Sequence, residues 1–139
     1  EIVNDMFSKR VISYEIEERN SIIMNRLDSI MRKDRLFLKD ITLDETAKLL
    51  STNRNYLSTA INSIGMNYKE YICSLRARYA EDIIINDRKE RFTIEEIANK
   101  SGFVTERTLN KYLKRSIGYT VHEFRKKLRS SPSIGKGLR

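Results

Sequence analysis

The sequence predicts an all-α fold, and three observations carry that prediction. The 139 residues contain only five glycines, one proline and no tryptophan, a poor supply of turn formers for a sheet protein. Charged residues make up 33% of the chain and recur at helical spacing instead of alternating. One helical unit is written twice: Thr42-Leu43-Asp44-Glu45-Thr46-Ala47 returns as Thr93-Ile94-Glu95-Glu96-Ile97-Ala98, and Gly65, Glu70, Tyr71, Leu75 and Arg76 return as Gly118, Glu123, Phe124, Leu128 and Arg129. The expected architecture is two helix-turn-helix subdomains joined by a long linker helix, with an extra N-terminal amphipathic helix. Residues 1–40 form the N-terminal helix and linker, 41–129 the repeated domain (41–66, the linker helix 67–87, and 92–129), and 130–139 a disordered tail.

Residues 8–33 carry Ile12, Ile16, Ile23, Leu27, Ile30 and Met31 close to one stripe, the mark of an amphipathic helix. Two readings of it stand. It packs on the first unit, with Leu36-Phe37-Leu38 entering the core, or its outer half pairs with another chain and sets dimer spacing, although Arg19 interrupts the heptads.

Both copies then open on Thr-x-x-Glu, a capping box in which the Thr hydroxyl accepts from an early backbone amide and the Glu reaches back to the cap. Helices therefore start after Thr42 and Thr93, burying Leu43, Ala47 and Leu50 in one and Ile94, Ile97 and Ala98 in the other. After a short turn, Asn53 caps a helix through about Ser63 and Thr105 one through about Ser116, with Gly65 and Gly118 placed as left-handed C-caps. Asn67-x-x-Glu70 opens the linker helix, which runs to about Asn86 with Tyr68, Tyr71, Ile72, Leu75, Tyr79 and Ile83 on one side. Thr120-x-x-Glu123 opens the last helix, which stops near Arg129.

Twenty-seven Lys and Arg against 19 Asp and Glu leave a net charge of +8, an excess that favours polyanions. Residues 1–40 are balanced, and nearly all of the excess lies in residues 92–139. Lysines on solvated helix faces raise the charge without binding anything, so the charge alone does not decide for nucleic acid. The doubled helix pair does more, because a helix-turn-helix lays its second helix in the major groove of double-stranded DNA. The linker helix, at 1.5 Å per residue, spans about 28 Å, close to the roughly 34 Å repeat of the duplex.

With Tyr56, Leu57, Ala60 and Ile61 packed inward, the first second-helix presents Arg54, Asn55, Ser58, Thr59 and Asn62. With Leu109, Tyr112 and Leu113 inward, the other presents Arg107, Asn110, Lys111, Lys114 and Arg115, together with Glu106. Asn pairs bidentately with adenine, Arg or Lys with guanine, and the Thr methyl meets thymine, each worth about 1–3 kcal/mol of discrimination. Asn55 with Thr59 and Arg107 with Lys111 are one turn apart and are the expected base contacts, while Ser58, Asn62, Lys114 and Arg115 are better placed for phosphates.

An enzyme is not expected. His122 and Cys73 are the lone histidine and cysteine, too few for a nucleophilic pair or a metal site, so no catalytic residue, metal or cofactor is expected. Glu17-Glu18, Glu81-Asp82 and Glu95-Glu96 point to different sides of their helices, and no glycine-rich phosphate loop occurs. The single cysteine excludes an internal disulfide, and no apolar run approaches a membrane span. A cytoplasmic setting without membrane contact is expected for this segment, and its first residue, Glu1, reads as the start of a piece of something longer.

Over residues 41–129 the motifs resemble the C-terminal DNA-binding domain of AraC/XylS-type transcription regulators. The resemblance rests on Ile41-Thr42-Leu43-x-x-x-Ala47, on Arg76-x-x-x-Ala80-x-x-Ile83-Ile84, and on Ile97-Ala98-x-x-x-Gly102-Phe103 followed by Leu113-Lys114, Gly118 and Phe124-Arg125. Val121 stands where the family usually has proline, Leu109 and Leu113 where phenylalanine is common, and Arg107 where a small polar residue is frequent. The resemblance implies a promoter regulator that reads adjacent major-groove segments and contacts RNA polymerase. Leu36-Phe37-Leu38-Lys39-Asp40-Ile41-Thr42-Leu43 and Thr52-Asn53-Arg54-Asn55-Tyr56-Leu57-Ser58 look like a Bacteroidetes-type branch in which this domain is the output end of a longer sensor. That branch includes membrane-anchored proteins with helical-repeat sensors and hybrid two-component proteins, so a parent at the inner membrane is one expectation, and the N-terminal helix adds that of a homodimer formed through the parent. The competing reading is a protein-interaction or dimerisation module built on the N-terminal helix.

Overall fold

The computed structural model describes residues 2–131, with side chains from residue 4. These residues form α1 (Ile2–Arg32), a short 3-10 segment (Lys33–Leu38), α2 (Leu43–Leu49), α3 (Arg54–Asn62), α4 (Tyr68–Asn86), α5 (Ile94–Lys100), α6 (Glu106–Ile117) and α7 (Val121–Ser130). The chain divides into two compact units, the first ending at Tyr71 and the second beginning at Ile72, so the division falls inside α4. Ser130 still belongs to α7, and the expected tail lies outside the described residues from Pro132 onward.

In the first unit α1 begins earlier than its apolar pattern suggested and packs on α3 through its C-terminal half alone. Ile23, Leu27 and Met31 are buried with Leu57, Ala60 and Ile61 of α3, with Ala47 and Leu50 of the α2 region, and with Phe37 from the 3-10 segment. Asp34 and Arg35 reverse the chain with positive φ, which aims Phe37 inward. Ile12 and Ile16, expected on the same stripe, are exposed because nothing in the first unit extends far enough to meet them.

Local chemistry sets the helix starts. The Thr42 hydroxyl accepts from the Glu45 amide at 3.1 Å and donates to the Glu45 carboxylate at 3.0 Å, so only half of the expected box forms there. Full boxes form at Asn67 with Glu70, at Thr93 with Glu96 and at Thr120 with Glu123. Gly118 ends α6 with φ 84°, and Gly65 turns the chain after α3 with φ 79°.

The second unit buries Cys73, Ala77, Ala80 and Ile84 of α4 with Ile97, Ala98, Phe103, Leu109, Tyr112, Leu113, Val121 and Leu128. The expected single stripe on α4 needs correction, since Tyr71 and Ile72 are buried but Leu75, Tyr79 and Ile83 are only partly so. The buried positions of α4 in the second core are Cys73, Ala77, Ala80 and Ile84 instead. Asp87 closes the α4–α5 turn, its carboxylate accepting from the amides of Arg91 and Phe92 at 3.0 Å each.

Candidate nucleic-acid interface

Each unit contains a short helix and a second helix joined by a tight turn. The residue just after the first helix's C-cap takes a left-handed conformation in both: Ser51 with φ 55°, Gly102 with φ 85°. The second turn is one residue longer and carries Val104, which is 91% exposed. Asn53 accepts from the Tyr56 amide at 2.8 Å and Thr105 from the Thr108 amide at 3.1 Å, so both second helices have an anchored N-terminus.

Of the residues singled out on α3, Arg54, Asn55, Thr59 and Asn62 are exposed and Ser58 is half-buried. Arg54 is not a free cation, because its Nη1 lies 3.5 Å from the Asp44 carboxylate at the start of α2. Asn55 and Thr59 share a side one turn apart and carry no charge. On α6, Arg107, Lys111, Lys114 and Arg115 are all exposed. Arg107, Lys111 and Arg115 recur every four residues, forming a basic column along the helix. Lys111 Nζ and the Arg115 guanidinium stand 5.4 and 5.3 Å from the centre of the buried Tyr112 ring, which holds both cations near the helix surface. The ring itself stacks on Phe103 at 6.0 Å.

Two residues depart from the expected arrangement. Asn110 is half-buried, and its Oδ1 accepts from the Val121 amide at 3.0 Å, so its oxygen serves the start of α7. Tyr56, expected to pack inward, is 44% exposed in the first turn of α3, with the Arg19 guanidinium 3.9 Å from its ring centre. It lies one residue before the buried Leu57 and one turn before Ala60, on the edge of the apolar stripe, where periodicity cannot decide between core and surface. Arg19 was legible only as an interruption of heptads, since its partner is far away in sequence. A groove of about 440 Å³ opens beside this pair, lined by Arg19, Ile22, Arg26, Thr52 and Tyr56 among others.

The helix-turn-helix domain family matches residues 46–127, more than half of the chain. The chain belongs to the helix-turn-helix domain family. Such domains bind DNA for transcription regulation. Among the described residues no group of three or more His, Cys, Asp and Glu could hold a metal ion, and no helix is long and apolar enough to cross a membrane.

Solved structures share the fold. A DNA-binding transcriptional dual regulator from Escherichia coli K-12 superposes with a TM-score of 0.64 at 16% identity, covering 78% of this chain and 93% of that one. The C-terminal domain of AraT, a response regulator from Geobacillus stearothermophilus, gives 0.60 at 22% identity, covering 76% and 84%. A protein of unknown function from Listeria innocua gives 0.59 at 20% identity, covering 74% and 94%. No curated protein matches.

Proposed function

We propose that this helix-turn-helix chain is the DNA-binding domain of an AraC-type bacterial transcription regulator, with α2–α3 and α5–α6 each acting as a helix-turn-helix and α3 and α6 each reading a major-groove segment. The observation that carries the reading is the repetition of one arrangement. In both units a capped second helix buries an apolar stripe and leaves its opposite side polar and exposed. The likeness to the Escherichia coli transcriptional regulator and to the C-terminal domain of AraT supports the same reading.

The two helices divide the work. Asn55 and Thr59 on α3, and Arg107 and Lys111 on α6, contact bases, whereas Ser58, Asn62, Lys114 and Arg115 hold phosphates. Asn110 contributes through its amide nitrogen while its oxygen caps α7. The column on α6 supplies most of the electrostatic attraction, and α3, nearly uncharged once Arg54 faces Asp44, supplies selectivity. In the same reading the parent protein presents the domain in the cytoplasm, contacts RNA polymerase and brings two copies to the promoter.

A gel-shift titration against random duplex at several salt concentrations tests the binding: affinity should fall steeply with salt, and a flat response overturns it. Selection from a random duplex library tests the division of labour. Asn55→Ala with Thr59→Ala should change which sites are recovered, and Lys114→Ala should weaken all sites about equally. Unchanged selection by the first pair overturns the base-contact assignment.

A further inference from the structure

The second helix of the first unit is short of cations for a helix that reads a groove. Arg54 is the one charged side chain of α3, and its guanidinium faces Asp44. Half or more of the hydrogen bonds between proteins and DNA go to phosphates and sugars, so another element has to hold the strands beside α3. The flank of α3 that carries Tyr56 shows which one. At about 100° per residue, Tyr56 lies about 60° round α3 from Thr59 and about 100° from both Asn55 and the buried Leu57. A helix with its side chains is about 10–12 Å across and the major groove about 12 Å wide, so a helix whose Asn55–Thr59 side faces the bases turns its flanks to the phosphate walls.

On that flank the groove of about 440 Å³ is lined by Arg19 and Arg26 of α1, Thr52 of the turn and Tyr56, with Glu15 and Glu18. The Arg19 guanidinium lies 3.9 Å from the centre of the Tyr56 ring, and a guanidinium stacked on a ring keeps its in-plane N–H donors for a phosphate. Arg26, seven residues on, is exposed on the same side of α1. Among the described residues neither guanidinium forms an ion pair. Glu18 stands about 180° round α1 from the buried Leu27, on the solvent side, and Glu15 lies a turn before Arg19. These carboxylates cancel the groove's charge at a distance, so the two arginines offer a placed contact and not long-range attraction. On the footing that α3 reads a major-groove segment, we propose that Arg19 and Arg26 bind the DNA phosphates flanking that segment. α1 is then a third DNA-contacting element of the first unit.

The full 139-residue chain and its variants are titrated onto random-sequence duplex at several salt concentrations. Each phosphate contact contributes about 0.9 to the slope of log affinity against log salt, so Arg19→Gln and Arg26→Gln should each lower the slope by about that much, and together by about twice it. Between about 50 and about 200 mM salt, each single variant should lose roughly 3.5-fold less affinity than the native chain does. Lys9→Gln removes an exposed cation of α1 outside the groove and should leave the slope unchanged. Selection from a random duplex library should recover the same sites for the native chain and the double variant, since phosphates carry no sequence. Arg26 is exposed, so Arg26→Gln decides the matter even where Arg19→Gln loosens α1, which thermal melting followed by circular dichroism detects. A double variant with the native slope, one that selects different sites, or a Lys9→Gln variant that lowers the slope as much overturns the proposal and leaves the reading of α3 and α6 standing. A native chain whose binding does not respond to salt overturns both.

Discussion

Arg76 on α4 donates from Nη1 to the Gly102 carbonyl at 3.0 Å, and its Nε stands 2.9 Å from where a Cβ on Gly102 would sit. Gly102 also holds φ +85°, which side-chain-bearing residues rarely adopt. Gly102→Ala therefore meets both backbone strain and a displaced guanidinium, and should lower stability by about 2–3 kcal/mol. Gly118 has a similar φ of +84° but open space around it, so Gly118→Ala should cost only about 1 kcal/mol. Urea denaturation of the two variants checks the difference, and equal losses would show that the Arg76 contact contributes nothing.

Asp87 should be the most costly single polar side chain to remove from the second unit. Besides the amides of Arg91 and Phe92, it faces Arg125, whose Nη2 lies 3.5 Å from its Oδ2 and donates to the Phe92 carbonyl at 2.6 Å. The side chains of Arg125 and Asp87 are only 12% and 6% exposed, so the pair is screened little by solvent. Asp87→Ala leaves two amides and a nearly buried guanidinium short of an acceptor, and a loss of about 2–4 kcal/mol is expected by thermal or urea unfolding.

Asn110 should separate stability from binding on α6. Asn110→Ala deprives the Val121 amide of its acceptor and should cost about 1 kcal/mol of stability. Lys111→Ala, one position on, removes an exposed cation and should leave the melting temperature within about 0.5 kcal/mol equivalence while weakening DNA binding. Matching stability losses in the two variants would refute the role given to the Asn110 oxygen.

Acid should weaken the link between the α4–α5 turn and α7. The carboxylate of Glu90 accepts from Arg129 Nε and Nη2 at 2.5 and 2.6 Å, and that hydrogen bonding holds its pKa below the ordinary carboxylate value. A lowered folded-state pKa means stability that is present above the unfolded value, about 4.3, and lost as pH falls through the folded one. Native chain and Glu90→Gln should therefore differ in melting temperature at pH 7 and converge as the pH drops into the acid range. Because Arg129 is 54% exposed, the gap should also shrink with added salt. A gap that is independent of pH would argue against the ion pair.

Much of this architecture was legible because short-range chemistry dictates it. Thr93, Thr105, Thr120, Asn53 and Asn67 act as caps on residues three positions away, and the Gly118 C-cap bonds within one turn, so spacing alone places those helix ends. The same holds for the polar sides of α3 and α6, which follow from the buried stripes of Leu57 and Ile61 and of Leu109 and Leu113. Where a residue sat at a stripe's edge, as Tyr56 does, or had to choose between two partners, as Asn110 does, periodicity carried no decision.

By itself, then, the order of residues determined an all-helical chain, its caps, its repeat and the chemistry offered by each second helix, since all of these depend on contacts within a few positions. Tertiary structure alone decided that Cys73, Ala77, Ala80 and Ile84 rather than Leu75 and Tyr79 are the buried residues of α4 in the second core, that Arg19 meets Tyr56, and that α1 is anchored over only half its length. Those outcomes depend on which surfaces distant segments bring within a few ångströms of each other, and burial is a property of that meeting rather than of any side chain taken singly.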